Sequence, residues 1–350
     1  MLKLTQCLIV KNEEQNLPRA LNWGENLFDE QIVIDTGSSD GSVALAEKLG
    51  AKVMHFAWID DFSAAKNFAI AQCTGEWIFF LDADEYFAAE HVPLLRPLIE
   101  RISGSSVKEE EEIRPYNVVE TPWINVSSNK FSQQARIFRN VPYLRYSGAI
   151  HEQIHALPGG YLRVYAGTDA PAILHDGYVW TSADSKGKKA ARNFEIARKA
   201  LKKSPNCSKL QLFAAEALMF KGEYLKAEKF FSEAMKNADG SIWPERAREG
   251  YKQWLNNYLN RNDSGTNVPR DRLPGAMKVH AEAVAKFPDD ADFDILLSLL
   301  CFKAKDILNT ILFFNASLAK KNGRITENLM ASNSEIYQRL RVTCEKLRNH

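Results

Sequence analysis

Over the first eighty positions, short apolar runs alternate with stretches whose apolar residues recur at helical spacing. Leu4–Val10 is an unbroken β-type run, the pattern of a strand covered on both faces. Leu17, Ala20 and Leu21 then stand at i, i+3, i+4, followed by a second strand over Gln31–Asp35 and a loop of Thr36, Gly37, Ser38, Ser39, Asp40 and Gly41. Ser39 or Asp40 can cap the helix carrying Val43–Leu49, and Gly50 marks its stop. Lys52–Phe56 reads as a third strand, Ser63–Gln72 as a helix and Trp77–Leu81 as a fourth strand. Strand and helix alternating in this way predict an open, mostly parallel sheet with helices on both faces.

The pattern changes twice more. Between residues 113 and 180, β-type pieces (Tyr116–Thr121, Ala135–Phe138, Tyr161–Tyr165) are separated by Pro, Gly and Asn turns, which predicts antiparallel additions and long loops at one edge of the sheet. The charged run Lys108–Glu112 reads as a solvated loop. From about Asp184 strand signals stop. Gly222, Tyr224, Ala227, Phe230 and Ala234 have the small/aromatic spacing of a tetratricopeptide-like helix pair. Helix–Pro junctions recur at Ala200–Pro205 and Ala283–Pro288, the second with Asp289 and Asp290 opening a new helix, and a Gly/Asn/Pro-rich break covers Asn260–Gly275. Ile307–Ala319 reads as a buried helix. The expected division is an α/β domain over 1–181 and an all-α, helical-repeat domain over 182–350; the alternative for the second is an unrelated helical bundle.

Composition narrows the class. A length of 350 residues predicts about two domains. Forty-five Lys+Arg against 44 Asp+Glu leaves a net charge of +1, which argues against a global polycation that coats nucleic acid. The five cysteines (Cys7, Cys73, Cys207, Cys301, Cys344) form no CxxC pair and read as reduced, mostly buried thiols. Leu4–Val10 is too short for a signal segment or a bilayer span, so the expected location is cytoplasmic.

Candidate chemistry gathers at strand ends. Phe79-Phe80-Leu81-Asp82-Ala83-Asp84-Glu85 puts two carboxylates at i, i+2 where an apolar strand leaves the sheet, the edge at which open α/β sheets bind ligands. Hard cations such as Mg²⁺ or Mn²⁺ take carboxylate and phosphate oxygens together, so one acid can hold a metal while the other orients a sugar hydroxyl. An Asp pair ending a strand is more often a cap or turn, but this pair has company. Asp35 ends a strand before a Gly/Ser loop, where a carboxylate can accept the imide N–H of a uracil-type base. Lys11-Asn12-Glu13-Glu14 occupies the same place after the first strand.

Taken together, Ile9–Glu14, Ile34–Ser42, Phe62–Asn67 and Leu81–Glu85 resemble, in order and spacing over roughly residues 4–87, the family 2 glycosyltransferases of GT-A fold. The likeness continues in Gln134–Arg139, Tyr146–Glu152 and Leu174–Tyr178, and the whole resembles the bacterial subgroup with a tetratricopeptide-like carboxyl-terminal domain. The resemblance implies a nucleotide-sugar donor, most simply a UDP-hexose or UDP-N-acetylhexosamine, with Mn²⁺ or Mg²⁺ as cofactor. It assigns Val10, Asn12, Glu13, Asp35, Gly37 and Ser38 to the nucleoside, Lys66 and Asn67 to the nucleotide or donor sugar, and Asp82-Ala83-Asp84 to the DxD motif with Asp84 the direct metal ligand. It further implies Gly148 and Arg136 in the donor/acceptor loop region, His175 as a second metal ligand, and Glu152 as the catalytic acid residue. Relatives carry Glu-Asp or Asp-Asp where this chain has His151-Glu152, which leaves open which of the two takes the acceptor proton.

A basic stretch, with Lys186, Lys188, Lys189, Arg192, Arg198, Lys199, Lys202 and Lys203 against Asp184 and Glu195, can bring Lys188 or Arg192 to the diphosphate or face an anionic membrane surface. For Arg198–Lys203 a solvated face is the simpler reading. No aromatic interleaving of the nucleic-acid-binding kind accompanies it. The expected acceptor is a glycan, a lipid-linked intermediate or a protein, with the helical repeats available to a protein partner. Two rival readings are a non-catalytic nucleotide-sensing scaffold and a nucleotidyltransferase; the second needs a Gly-rich phosphate loop where this chain has Lys11–Glu14.

Overall fold

The computed structural model describes residues 2–104, 106–109, 112–127, 130–176, 183–237, 248–255, 270, 273–320 and 327–348. The chain divides into two compact units, Met1–Ser182 and Ala183–His350. The boundary expected between 181 and 182 falls outside the described residues.

The first unit is built on a mixed sheet. Strands β1 (Leu4–Val10), β2 (Glu30–Asp35), β3 (Lys52–His55) and β4 (Trp77–Phe80) alternate with helices α1 (Leu17–Asn22), α2 (Ser42–Lys48) and α3 (Phe62–Ile70). They lie in the order β3-β2-β1-β4, all parallel. β1 has no polar alternation because both of its faces are covered. Leu8 and Val10 pack with Leu17, Leu21 and Ala46 on one side, and Cys7 with Ala69 and Ile70 on the other. The strand order reverses between β1 and β4, and the crevice beyond their carboxyl ends is where such sheets take ligands.

Beyond β4 the sheet continues through β9 (Lys130–Arg139), β8 (Val118–Asn125), β13 (Ile173–His175) and β5 (Glu85–Phe87), with β12 (Val164–Tyr165) also pairing with β8. β9 runs antiparallel to β4 and β8 antiparallel to β9, as the turn-rich pattern predicts. β13 is parallel to β8 and antiparallel to β5, placing His175 opposite both Asn125 and Glu85. This register brings the end of a late strand to the residues that immediately follow β4. Helix α4 (Val92–Gly104), which the sequence reading did not mark, packs Leu95, Leu98, Ile99 and Ile102 against Trp77 and Phe79.

Two local expectations for the first unit are corrected. Gly41, not Ser39 or Asp40, is the N-cap of α2; Asp40 Oδ1 accepts from the Ser42 amide at 3.0 Å, while the Ser42 hydroxyl accepts from the Glu13 amide at 2.8 Å. Lys108–Glu112 is not simply a loop: β6 (Ser106–Glu109) and β7 (Glu112–Pro115) pair antiparallel, although residues 110 and 111 lie outside the described set. Backbone pairing there needs no apolar alternation, so charge alone misled. Gly50 does close α2 in the left-handed region, at φ 89°. β10 (Leu144–Ser147) and β11 (Gln153–Ala156) form a separate hairpin whose connection is Gly148–Glu152.

The described elements of the second unit are helices joined by turns: α5 (Ala183–Lys203), α6 (Ser208–Phe220), α7 (Tyr224–Asn237), α8 (248–255), α9 (Leu273–Lys286), α10 (Ala291–Lys303), α11 (Ile307–Ala319) and α12 (Glu327–Arg348). Gly222, at φ 77°, turns α6 into α7, and Ala227, Phe231 and Ala234 bury with Leu212, Ala215 and Met219. Asp290 caps α10 by accepting from the Asp292 amide. Lys252 is buried between Asp290 and Asp292 at 2.7 and 2.8 Å, and Asp294 between His280 and Lys320.

α11 corrects the expectation of a buried helix. Thr310, Phe314 and Ser317 are buried, but Leu308 is 83% exposed and Ile307, Leu312 and Leu318 are exposed too. Its apolar residues run round the helix, and only one face meets the core. Most of the expected break at Asn260–Gly275 lies outside the described residues, and Leu273–Gly275 already belong to α9. All five cysteines are free thiols; Cys207 is only partly buried. Among the described residues no helix is long and apolar enough to cross a membrane.

Candidate active site

The carboxyl ends of β1, β2 and β4 meet at one edge of the sheet. After β1 the chain turns at Asn12, which has φ 59°, a left-handed conformation that Asn tolerates better than most residues. The Asn12 amide donates to Ser38 Oγ at 2.9 Å, and Asn12 Oδ1 accepts from the Ser39 amide at 2.7 Å. The loops after β1 and β2 are thereby bound to each other. Val10 O accepts from the Thr36 amide and hydroxyl, both at 2.9 Å.

Asp35 is buried and accepts from the amides of Gly37 (3.1 Å) and Ser38 (3.0 Å), with His55 Nδ1 at 3.3 Å. Burial pushes its pKa up, but the bonds from Ser38, Gly37 and His55 outweigh that and hold it below the usual carboxylate range. Gly37 is required by its φ of 102°. Glu13 is raised, first by burial and then by the neighbouring carboxylates Asp84 and Asp82; Asn16 Nδ2 donates to it at 2.7 Å, which opposes the rise.

β4 delivers Asp82, Ala83 and Asp84 into this crevice. Ala83 is buried and packs among the residues under β1, where a larger side chain would displace the turn. Asp82 Oδ2 accepts from Arg136 Nη2 at 2.7 Å, and its Oδ1 lies 3.6 Å from Lys66 Nζ. Burial opposes its ionisation, yet Arg136 and Lys66 prevail and hold it well below the usual range. Arg136 also donates to Glu85 Oε1 at 2.7 Å. Glu85 is buried, accepts from Trp123 Nε1 at 2.8 Å and from the Asp82 amide at 2.9 Å, and is pushed up by burial.

Lys66 is the centre of this network and is only 1% exposed. Its Nζ lies 2.8 Å from Glu152 Oε1 and stands over the rings of Phe80 and Tyr146 at 5.0 and 4.9 Å. Burial favours the neutral amine, but Asp82 and Glu152 outweigh it and raise the pKa. The next residue, Asn67, spends its amide on the Tyr146 backbone, donating to the carbonyl and accepting from the amide, both at 2.9 Å. Helix α3 therefore fixes the hairpin that carries Glu152. The Phe62 amide adds a bond to Ala149 O at 2.9 Å. Gly148 (φ 107°) and His151 (φ 50°) are both left-handed; the His151 ring is exposed, whereas Glu152 points inward to Lys66.

Asp84 meets a different partner. His175 Nε2 lies 2.9 Å from Asp84 Oδ2, both side chains being largely buried. Trp123 covers the imidazole at a centroid distance of 4.6 Å, and Asn125 Nδ2 lies 3.2 Å from His175 Nδ1. Just beyond, Asp176 accepts from Tyr86 OH at 2.8 Å and pairs with Arg19 of α1, tying the chain after His175 to the first helix. Among the described residues no three His, Cys, Asp or Glu side chains converge as a metal cage. A carboxylate and an imidazole are nevertheless a fitting pair for a Mn²⁺- or Mg²⁺-type ion that takes its remaining ligands from phosphate and water.

The structure thus gathers Val10, Asn12, Glu13, Asp35, Gly37, Ser38, Lys66, Asn67, Asp82, Ala83, Asp84, Arg136, Gly148, His151, Glu152 and His175 within the first unit. Lys188 and Arg192 stand exposed on α5 of the second. Sequence reasoning gave no role to Glu85, Trp123, Asn125, Tyr146 or His55. Glu85 carried a signal, as the acid directly after the DxD pair and before Tyr86 and Phe87. Trp123 and Asn125 carried none, since only the β8–β13 pairing brings them to His175.

Residues 6–152 match the model of glycosyl transferase family 2, and the first unit carries a family 2 glycosyltransferase domain. A TPR repeat-containing protein of Synechococcus elongatus is 38% identical over 157 residues, 44% of this chain and 36% of that protein. The SPbeta prophage-derived glycosyltransferase SunS of Bacillus subtilis is 27% identical over 225 residues, 61% of this chain and 49% of its own length. The chain therefore spans between about a third and a half of these curated relatives. Among solved structures, glucosyl-3-phosphoglycerate synthase from Mycobacterium tuberculosis with Mg²⁺ and UDP is 22% identical over 35% of this chain and 44% of that one, at a TM-score of 0.28.

Proposed function

We propose that the chain is a metal-dependent, inverting glycosyltransferase that moves a hexose or N-acetylhexosamine from a UDP-sugar to a glycan, lipid-linked or protein acceptor. The observation that carries this reading is the meeting of Asp84 with His175 beside the Asp82–Lys66–Glu152 chain, at the carboxyl ends of β1, β2 and β4. Asp35 and the Asn12–Ser38 clasp are suited to the nucleoside. Asp84 and His175 would hold a divalent ion, which supplies charge neutralisation for the departing diphosphate. The cytoplasm is the location that suits a UDP-sugar.

Glu152 serves as the base. The acceptor hydroxyl oxygen forms a bond to the anomeric carbon as the carbon–phosphate-oxygen bond breaks. The nucleoside diphosphate leaves with that electron pair and the hydroxyl proton passes to the Glu152 carboxylate. A single displacement of this kind inverts the anomeric centre. Lys66 and the Asn67–Tyr146 bonds hold Glu152 in place, whereas the His151 ring is exposed.

A thermal-shift screen of nucleotide sugars with Mn²⁺ is the first test, because a ligand bound only by the native state raises the melting temperature. A UDP-sugar that shifts the wild type, and is turned over with release of UDP, supports the reading. A shift without any turnover or hydrolysis favours the nucleotide-sensing scaffold, and the absence of any shift contradicts both.

A further inference from the structure

We propose that His55 is a specificity-determining residue for the nucleobase, donating a hydrogen bond to O4 of a uracil whose N3–H is accepted by Asp35; this rests on the nucleotide-sugar reading above. Asp35 ends β2, His55 ends β3, and the two are register partners in that parallel pair. The Phe56 amide donates to Asp35 O at 2.9 Å, and the Phe56 ring packs on Phe68 at a centroid distance of 5.4 Å. The backbone is therefore pinned at both strand ends. The His55 side chain has room to move: it is 70% exposed, yet its Nδ1 reaches Asp35 Oδ2 at 3.3 Å.

Burial raises the Asp35 pKa, but the bonds from Ser38, Gly37 and His55 outweigh it, so the carboxyl is ionised at neutral pH and only accepts. Nδ1 of His55 is thus the donor in this contact. Two carboxylate oxygens offer about four acceptor positions. The Ser38 amide lies 3.0 Å from Oδ1 and 3.3 Å from Oδ2, and the Gly37 amide 3.1 Å from Oδ2. These backbone donors belong to the turn after β2 and cannot leave without undoing it, whereas the exposed imidazole can. A base that brings its own ring N–H to Asp35 takes the place of His55, and the displaced donor needs a carbonyl oxygen nearby.

Strand order says which oxygen. In the order β3-β2-β1-β4, Asp84 follows β4 and His55 closes β3 at the far side. A nucleotide laid across these strand ends with its diphosphate at Asp84 has its ribose toward β1 and its base over β2. The base atoms farthest from the ribose then face β3, and in a pyrimidine these are at position 4. Asp35 and His55 together read a donor followed by an acceptor. Uracil matches with N3–H and O4, while cytosine reverses both, with a lone pair on N3 and an amino group at position 4.

The test is calorimetric titration of UDP, CDP and 4-thio-UDP, each with Mn²⁺, into the full chain as wild type, His55→Ala and His55→Asn. Wild type should bind UDP about tenfold or more tighter than CDP. His55→Ala should weaken UDP about fivefold, the loss of one hydrogen bond, and should leave CDP no weaker. His55→Asn, whose Nδ2 can stand in for Nδ1, should recover most of the UDP affinity. With 4-thio-UDP, in which a poorer acceptor replaces O4, wild type and His55→Ala should bind alike. Equal weakening of UDP and CDP by His55→Ala would mark His55 as a mere support for Asp35 and overturn its role in base choice. UDP binding that is unchanged in His55→Ala, or a wild type that binds UDP and CDP equally, overturns it as well, and each of these leaves the donor reading standing. A wild type that binds no UDP overturns the nucleotide-sugar reading and this inference together; that arm, and the comparison of the three nucleotides on wild type, need no variant to fold.

Discussion

Asp82 and Asp84 leave the same strand end two residues apart and enter opposite surroundings. The region of Asp82 is a closed ionic network: Arg136 and Lys66 face it, and the same cations hold Glu85 and Glu152. The region of Asp84 pairs its carboxylate with an imidazole, oriented from behind by Asn125 and Trp123. A carboxylate already paired with two cations has little need of a third, whereas one that meets an imidazole offers a two-donor site. The lesson is that the neighbours, not the motif, divide the work between two identical side chains. Asp82 builds the frame that carries Glu152, and Asp84 is left for the divalent ion proposed above.

The sharpest break in this comparison is Asp84→Ala. Transfer should fall on the order of 10³-fold in a protein that still folds, since several kcal/mol of charge stabilisation are removed. A variant that retains full activity would move the metal elsewhere. Lys66→Met should act on the other region and in the other direction. Leaving Asp82 and Glu152 without their shared cation should cost about 3 kcal/mol in urea unfolding, with the donor-binding end little changed. If Lys66→Met were as stable as wild type but lost donor binding, Lys66 would be a donor ligand and the division would fail.

A smaller effect is expected at Asp35, which belongs to neither region. Asp35→Asn should lower stability at neutral pH by about 1–2 kcal/mol, through loss of charge-assisted bonds from Ser38 and Gly37. The Asp35 pKa lies below its unfolded value of about 3.9, so its contribution is full above that pH and is lost as pH falls through the folded value. The gap between wild type and variant should therefore narrow on acidification below about pH 4, measured by denaturant titration across that range. The smallest change is expected for His151→Asn, which should keep kcat within about threefold, far short of the roughly 10²–10⁴-fold loss expected for a catalytic base. A loss in that range would exchange the roles of His151 and Glu152.

The parallel half of the sheet was legible in the sequence because continuous apolar runs and Gly- or Asp-marked turns are local signals. Its strand ends carried Asp35, Asp82 and Asp84 on view for the same reason. The far half was less so. β5 and β13 are three residues each, too short for any periodicity, yet the pairing of β13 with β8 on one side and with β5 on the other is what sets His175 against Asp84 and Asn125 behind it. Lys66 shows the same limit from another side. The family resemblance implies a donor contact for it, and only the packing of α3 against the β10–β11 hairpin reveals a buried cation beside two aromatic rings. The apolar content of α11 predicts burial, yet of its residues Thr310, Phe314 and Ser317 are the buried ones.

The central claim, that Asp84 and His175 hold a cation for a nucleotide sugar, is tested most directly by calorimetric titration of UDP into the wild type and Asp84→Asn, each with and without Mn²⁺. Mn²⁺ should strengthen UDP binding to the wild type by tenfold or more, about 1.4 kcal/mol, and should leave binding to Asp84→Asn unchanged. Binding to the wild type that is indifferent to Mn²⁺, or a metal effect that survives intact in Asp84→Asn, would contradict the account.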